Sequence, residues 1–118
     1  MNTPVAQYLE AWNTTDAAAR KAAIARVFTE DVRYVDPLVE VAGHDGMDAA
    51  IAGVQAQFPG WVFTSAGPVD GHHDQVRFTW GLGPADGPAV VIGFDVAIVC
   101  DGRIANVYGF LDKVPAAA

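Results

Sequence analysis

The sequence contains a single cysteine, Cys100, and one thiol can neither close an internal disulfide nor build a metal cluster. It is expected to sit inertly in a core strand. Cations are also scarce. Seven Lys and Arg stand against fourteen Asp and Glu, for a net charge of -7 with no basic cluster, which argues against nucleic acid or an anionic membrane surface as a partner. The longest apolar run, PAVVIGF, is far shorter than the about 20 residues needed to span a bilayer. The opening MNTPVAQYLE lacks the basic region and apolar run of a signal peptide, so a cytoplasmic location is expected. Neither HxxxH nor HExxH occurs, no glycine spacing suits a phosphate, and no Ser or Cys occupies a nucleophile elbow. No metal or organic cofactor is expected.

What remains is an apolar chain: 52% of its residues are hydrophobic and 18% charged, a balance that supports folding rather than disorder. At 118 residues it forms one domain, able to bury about two-thirds of its unfolded surface without staples. The KVPAAA tail, residues 113–118, is expected to be loose.

The first half reads as helical. Val5, Tyr8, Leu9 and Trp12 recur at helical spacing on a first helix starting near Pro4. Asp16 is a candidate N-cap for a second helix that buries Ala23, Ile24, Val27 and Phe28 and ends near Thr29 to Asp31. A third runs from about Met47 to Phe58, with Ile51, Val54 and Phe58 on its apolar face, and stops ahead of Pro59 and Gly60. Strands are expected at Val32 to Asp36, continuing over Leu38 to Val41, then at Trp61 to Ala66, His73 to Leu82, Ala89 to Cys100 and Arg103 to Leu111. GPVDG and GPADGP are read as turns and Asp101-Gly102 as a tight hairpin. Helices and sheet are segregated along the chain, which points to an α+β fold.

Two carboxylates sit among apolar neighbours in this sheet-like sequence. Asp36, in YVDP, precedes a proline that holds it extended at a strand end, where it either points into a cleft mouth or caps a turn. Asp95 lies inside PAVVIGFDVAIVC. Alternation puts it on one face with Val91, Gly93, Ala97 and Val99, opposite Val90, Ile92, Phe94, Val96 and Ile98. A carboxylate there must find a partner, with Arg77 or a backbone amide the simplest, or keep its proton and become a donor in a dry site. Tyr8 shares a helix face with Trp12 and is either a core tyrosine or a second donor beside Asp95. His72 and His73 start a long strand and point to opposite sides, so at most one faces a given pocket. His44, in GHDG, is expected to face solvent. Trp80 shares parity with Val76 and Phe78 and lines either a pocket wall or the core.

Five stretches together resemble the nuclear transport factor 2-like superfamily, in its ketosteroid isomerase and SnoaL-like branch: YLEAW, FTEDVRYVDP, GHDGMDAAIAG, GPVDGHHDQVRF and GFDVAIVCDGRIANVYGF. The resemblance covers Val5 to Leu111. It implies a cone-shaped, curved antiparallel or mixed β-sheet wrapped around the N-terminal helices, and commonly a homodimer. Matched residue by residue, Tyr8 corresponds to the isomerases' oxyanion-hole tyrosine, Asp36 to their general base and Asp95 to their protonated oxyanion-hole aspartate. In related cyclases an acid on the strand of Asp95 is the base, and dehydratases of the family keep His73 and Tyr34 in view. The implied activity is carboxylate-mediated proton transfer α to a carbonyl of a small apolar molecule, as in an isomerase or cyclase. Trp12, Val54, Phe58, Phe78, Trp80 and Phe110 would exclude water from that reaction. The alternatives are a non-catalytic ligand-binding protein or structural dimer of the same fold, and a dehydratase or epoxide hydrolase.

Overall fold

The computed structural model describes residues 2–115. Helix α1 spans Asn2–Asn13 and α2 spans Ala17–Val27; between them the Asp16 carboxylate accepts from the Ala19 amide at 2.9 Å, an N-cap satisfying one of the free donors of the first turn. Strand β1, Phe28–Val35, follows α2 with no loop. Phe28 is already extended, is fully buried and pairs with Ile104, so the helix stops two to four residues, and the strand starts four residues, earlier than the sequence pattern indicates. Strand β2 (Glu40–Ala42) turns back on β1. Helix α3 then covers Gly43–Gln57, beginning ahead of Met47 because Gly43, at φ 76°, makes the sharp entry. His44 is thereby drawn inward: its Nε2 lies 3.0 Å from the Phe28 carbonyl oxygen instead of facing water.

The remaining strands are β3 (Trp61–Ser65), β4 (Asp70–His72), β5 (Gln75–Pro84), β6 (Val91–Cys100) and β7 (Arg103–Lys113). The sheet order is β2-β1-β7-β6-β5-β3, with β4 also on β5. All pairings are antiparallel except β1 with β7, so this is a mixed, curved sheet wrapped around the N-terminal helices. Asp101 and Gly102 turn the β6–β7 hairpin at φ 51° and 81°, the two left-handed residues a type I′ turn needs. Strand β4 occupies what reads as the GPVDG turn. It moves His73 out of a strand and into the tip of a tight turn, at φ 57°. Cys100 ends β6 exposed, not in the core, because that hairpin projects into solvent.

The core lies between the helices and the inner sheet face, around Phe28, Phe78, Ile24, Met47, Ile51 and Ile104. A polar clamp fixes α1 over this face. Buried Arg20 bonds Asp48 at 2.7 Å and Gln55 Oε1 at 3.1 Å, while Gln55 Nε2 donates to the Trp12 and Thr14 carbonyls at 3.0 and 2.9 Å. Asn13 then exchanges two hydrogen bonds with Phe63 of β3, at 2.7 and 2.9 Å. The Gln55 bonds satisfy the Trp12 carbonyl in the last turn of α1 and the Thr14 carbonyl just beyond it, and the clamp sets where Tyr8 and Trp12 point. Among the described residues no helix is long and apolar enough to cross a membrane.

Candidate functional site

Between α1, α3 and the inner sheet face lies a cavity of about 230 Å³. Its polar end is formed by Tyr8, Trp12, Tyr34 and Asp36. Val54, Phe58, Phe63, Trp80, Leu82, Val91 and Leu111 form the walls, with Leu38, Gln57, Val114 and Pro115 at the mouth. The stretch expected to be loose from residue 113 therefore begins as part of the site: Lys113 closes β7 and the next two residues line the cavity, while 116–118 lie outside the described residues.

Asp36 does both things the sequence left open. Its Oδ1 accepts from the Leu38 and Val39 amides at 2.8 and 2.9 Å, capping the turn into β2; its Oδ2 accepts from the Tyr34 hydroxyl at 2.5 Å and faces the cavity. Asp95 is 1% exposed and lies behind Tyr8, not on the cavity wall. Its partner is Tyr8, whose hydroxyl donates to Oδ2 at 2.9 Å; Arg77 faces the other way and reaches Asp70. Asp95 Oδ1 has no hydrogen-bond partner among the described residues. Gly109 lets the two acids converge. A Cβ there would lie 2.9 Å from Asp95 Oδ1 and 3.2 Å from Asp36 Cβ, so any side chain would separate them.

Burial sets the electrostatics. Desolvation pushes the Asp95 carboxyl up to about 6, with the Asp36 charge adding to the rise, while the Trp80 indole and Tyr8 hydroxyl, which favour the carboxylate, pull the other way. The Tyr8 and Tyr34 phenols are both raised, chiefly by burial and then by the negative charge of Asp95, so each keeps its proton at neutral pH. Tyr8 has one proton to give. While Asp95 is ionised, that proton is committed to it. Once Asp95 is protonated it can donate to the Tyr8 oxygen, and the phenol proton is free to turn into the cavity.

Three residues expected at the site lie elsewhere. Phe110 is 57% exposed on the outer face: it pairs across β6–β7 with Phe94, which alternation already places opposite Asp95, whereas Leu111 takes the inward position. His73, at its turn tip, is exposed, and its ring meets that of His72, with 2.9 Å between their Nδ1 atoms. Phe78 does face inward, opposite Asp95, but it is sealed beneath Tyr8 with ring centroids 5.4 Å apart and does not reach the cavity. Phe63, Leu82, Val91 and Leu111 escaped the sequence reading. Val91, on the Asp95 face of β6, and Leu82, in phase with Trp80 on β5, carried the signal in their alternation; Phe63 and Leu111 depend on strand register.

The cavity's shape rests on another glycine. A Cβ on Gly93 would fall 2.0 Å from the Trp80 ring, which packs in the space the missing side chain leaves. Gly93→Ala is expected to push the indole into the cavity and cost about 1–3 kcal/mol, the usual range for overpacking. A lowered urea midpoint together with loss of ligand binding would register it.

The sequence profile of the SnoaL-like domain matches residues 5–107. The chain belongs to the SnoaL-like domain family. A crystal structure of a candidate isomerase of the SnoaL-like family from Agrobacterium tumefaciens superposes at a TM-score of 0.89 and 42% identity, covering 94% of this chain and 96% of that one. Two more distant structures share the fold. A candidate ketosteroid isomerase from Kribbella flavida has a TM-score of 0.70 and 19% identity over 98% of this chain and 79% of its own. A candidate SnoaL-like polyketide cyclase from Jannaschia sp. CCS1 has a TM-score of 0.71 and 16% identity over 98% and 93%. No curated protein matches the sequence. Within this SnoaL-like domain, no group of three or more His, Cys, Asp or Glu side chains among the described residues is placed to hold a metal ion.

Proposed function

We propose that this SnoaL-like domain binds a small apolar ketone and transfers a proton at the carbon next to its carbonyl, as an isomerase or a cyclase does. The observation that carries the reading is the pair Asp36 and Tyr8 at one polar end of an otherwise apolar cavity, the second backed by a carboxyl that burial keeps protonated up to about pH 6. Asp36 Oδ2 takes the α-proton, the C–H electrons move into the C–C bond of an enolate, and the carbonyl oxygen gains the negative charge. The Tyr8 hydroxyl, relayed by protonated Asp95, donates to that oxygen; one such donor in a dry site is worth about 3 kcal/mol of barrier. Tyr34 holds the Asp36 carboxyl in place. Protonated Asp36 then returns the proton to another carbon, or the enolate closes a ring on a second carbonyl. Histidine-based dehydration is disfavoured: His44 is bonded to Phe28, and His72 and His73 sit at the β4–β5 turn.

The test is deuterium exchange. In D₂O, 2-tetralone, a two-ring ketone with acidic α-protons, should lose its C1 proton signal in NMR spectra faster with micromolar protein than in buffer. Exchange at the buffer rate by a protein that binds the ketone would end the proposal.

The same reading includes a homodimer through the outer sheet face. Tyr108 and Phe110 are 45% and 57% exposed there, beside half-buried Phe94, Val96 and Ile98, an apolar stretch that a two-fold copy would cover. Light scattering should give twice the 12.4 kDa chain mass, and Phe110→Asp should return it to one.

A further inference from the structure

The Trp12 side chain lines the cavity, and its indole N–H is buried beside that cavity with no hydrogen-bond partner among the described residues. Such groups are rare in folded proteins, because burying a donor without a partner costs stability; where one persists beside a cavity, a ligand acceptor is a natural explanation. Its position narrows the target. The Trp12 ring lies 6.1 Å from that of Tyr8 and 5.6 Å from that of Tyr34, centroid to centroid, and the indole favours the ionised form of the Tyr8 phenol. The N–H therefore serves the region where negative charge would gather. Tyr34 gives its proton to Asp36, and Tyr8 gives its own to Asp95 whenever that acid is ionised. The Trp12 donor makes no well-formed hydrogen bond; the acceptor it feels is the neutral Tyr8 phenol oxygen, a weaker competitor than a carboxylate.

Size narrows it further. Pockets for drug-sized ligands run to about 300–1,000 Å³, above the 230 Å³ here. Filled at the about 0.75 density of a protein interior, this space takes on the order of ten to twelve non-hydrogen atoms. Expansion is opposed, because Trp80 is held over Gly93 and against Phe63 at 5.3 Å, and Phe58 stacks on Trp61 at 4.7 Å.

We propose that the substrate is a one- or two-ring ketone of about ten to twelve non-hydrogen atoms, not a four-ring skeleton, and that its oxygen accepts a hydrogen bond from the Trp12 indole N–H. That the oxygen is a ketone's rests on the function proposed above; the donor and the size limit do not.

Calorimetry with three probes separates the parts: 2-tetralone, its hydrocarbon counterpart tetralin, and a four-ring steroid ketone. The wild type should bind 2-tetralone at least tenfold more tightly than the steroid ketone. Trp12→Phe should weaken 2-tetralone by about three- to tenfold, the weight of one hydrogen bond, and leave tetralin within twofold. A merely structural role for the indole would weaken both probes alike. As a second readout, the Trp12 indole ¹⁵N–¹H resonance, assigned by its loss in the variant, should move downfield with 2-tetralone and not with tetralin. Steroid binding as tight as that of 2-tetralone would overturn the size limit. Equal losses for 2-tetralone and tetralin, no loss for either, or no binding of 2-tetralone would overturn the donor. Binding as described without deuterium exchange would leave this inference standing and remove the catalytic reading instead.

Discussion

Asp36→Asn is expected to slow protein-catalysed deuterium exchange into 2-tetralone by about 10²–10⁴-fold, the usual contribution of a general base, while leaving fold and ligand affinity in place. The substitution separates the two jobs the residue holds. The amide oxygen can still accept from the Leu38 and Val39 N–H groups that the Oδ1 position now serves, so the turn into β2 survives. The amide nitrogen replaces Oδ2, and the Tyr34 hydroxyl can rotate to accept from it. Only the ability to take a proton is lost. Asp36→Ala would be a poorer experiment, because it would release the turn and the base together. Urea unfolding within about 1 kcal/mol of the wild type, unchanged 2-tetralone affinity and a collapsed exchange rate would identify Asp36 as the base. Exchange at the wild-type rate would exclude it and shift attention to Asp95, which can reach the cavity only through Tyr8.

The way Asp36 combines its roles shows what a sequence of this kind discloses. Asp95 was legible because its position follows from two local facts, strand alternation and the cost of an unpaired charge in an apolar run. Both hold in the structure, with Val91, Gly93 and Ala97 buried on its side. Its partner was legible only as one of several candidates, Tyr8, Arg77 or a backbone amide. Tyr8 lies 87 residues away, and only the packing of α1 against the sheet decides between it and Arg77. The same limit explains Phe110: register against β6, rather than residue type, turns it outward and brings Leu111 in. His73 went astray for a local reason. Asp70–His72 is a strand too short to outweigh a turn-like GPVDG, and its presence shifts the histidine by one structural element. The clamp of Arg20, Asp48 and Gln55 joins residues up to 35 positions apart, each ordinary by itself, and no periodicity marks it.

Asp95→Asn should make the protein more stable at pH 8 than the wild type, by about 1–3 kcal/mol. Burial raises the Asp95 carboxyl from 3.8 to about 6, so between those values the folded chain holds a proton that the unfolded chain has released. Stability then falls as pH rises: the contribution is fully present below about 4 and lost on passing through 6. Each pH unit between the unfolded and folded values is worth about 1.4 kcal/mol, so the loss amounts to about 3 kcal/mol above pH 7. Asparagine cannot ionise and escapes that loss, though its second amide atom inherits the position of Oδ1, which lacks a partner, and this takes back part of the gain. Urea unfolding of both proteins at pH 4.5 and pH 8 decides it. The other acidic groups contribute equally to each chain and cancel in the difference, so the wild type should lose stability relative to the variant across that interval. A difference that stays constant with pH would mean Asp95 titrates like an ordinary surface carboxylate. The proton relay to Tyr8, which operates where Asp95 still holds its proton, up to about pH 6, would then fail as well, because the phenol would remain committed to a charged neighbour over that range and have no proton for a ligand.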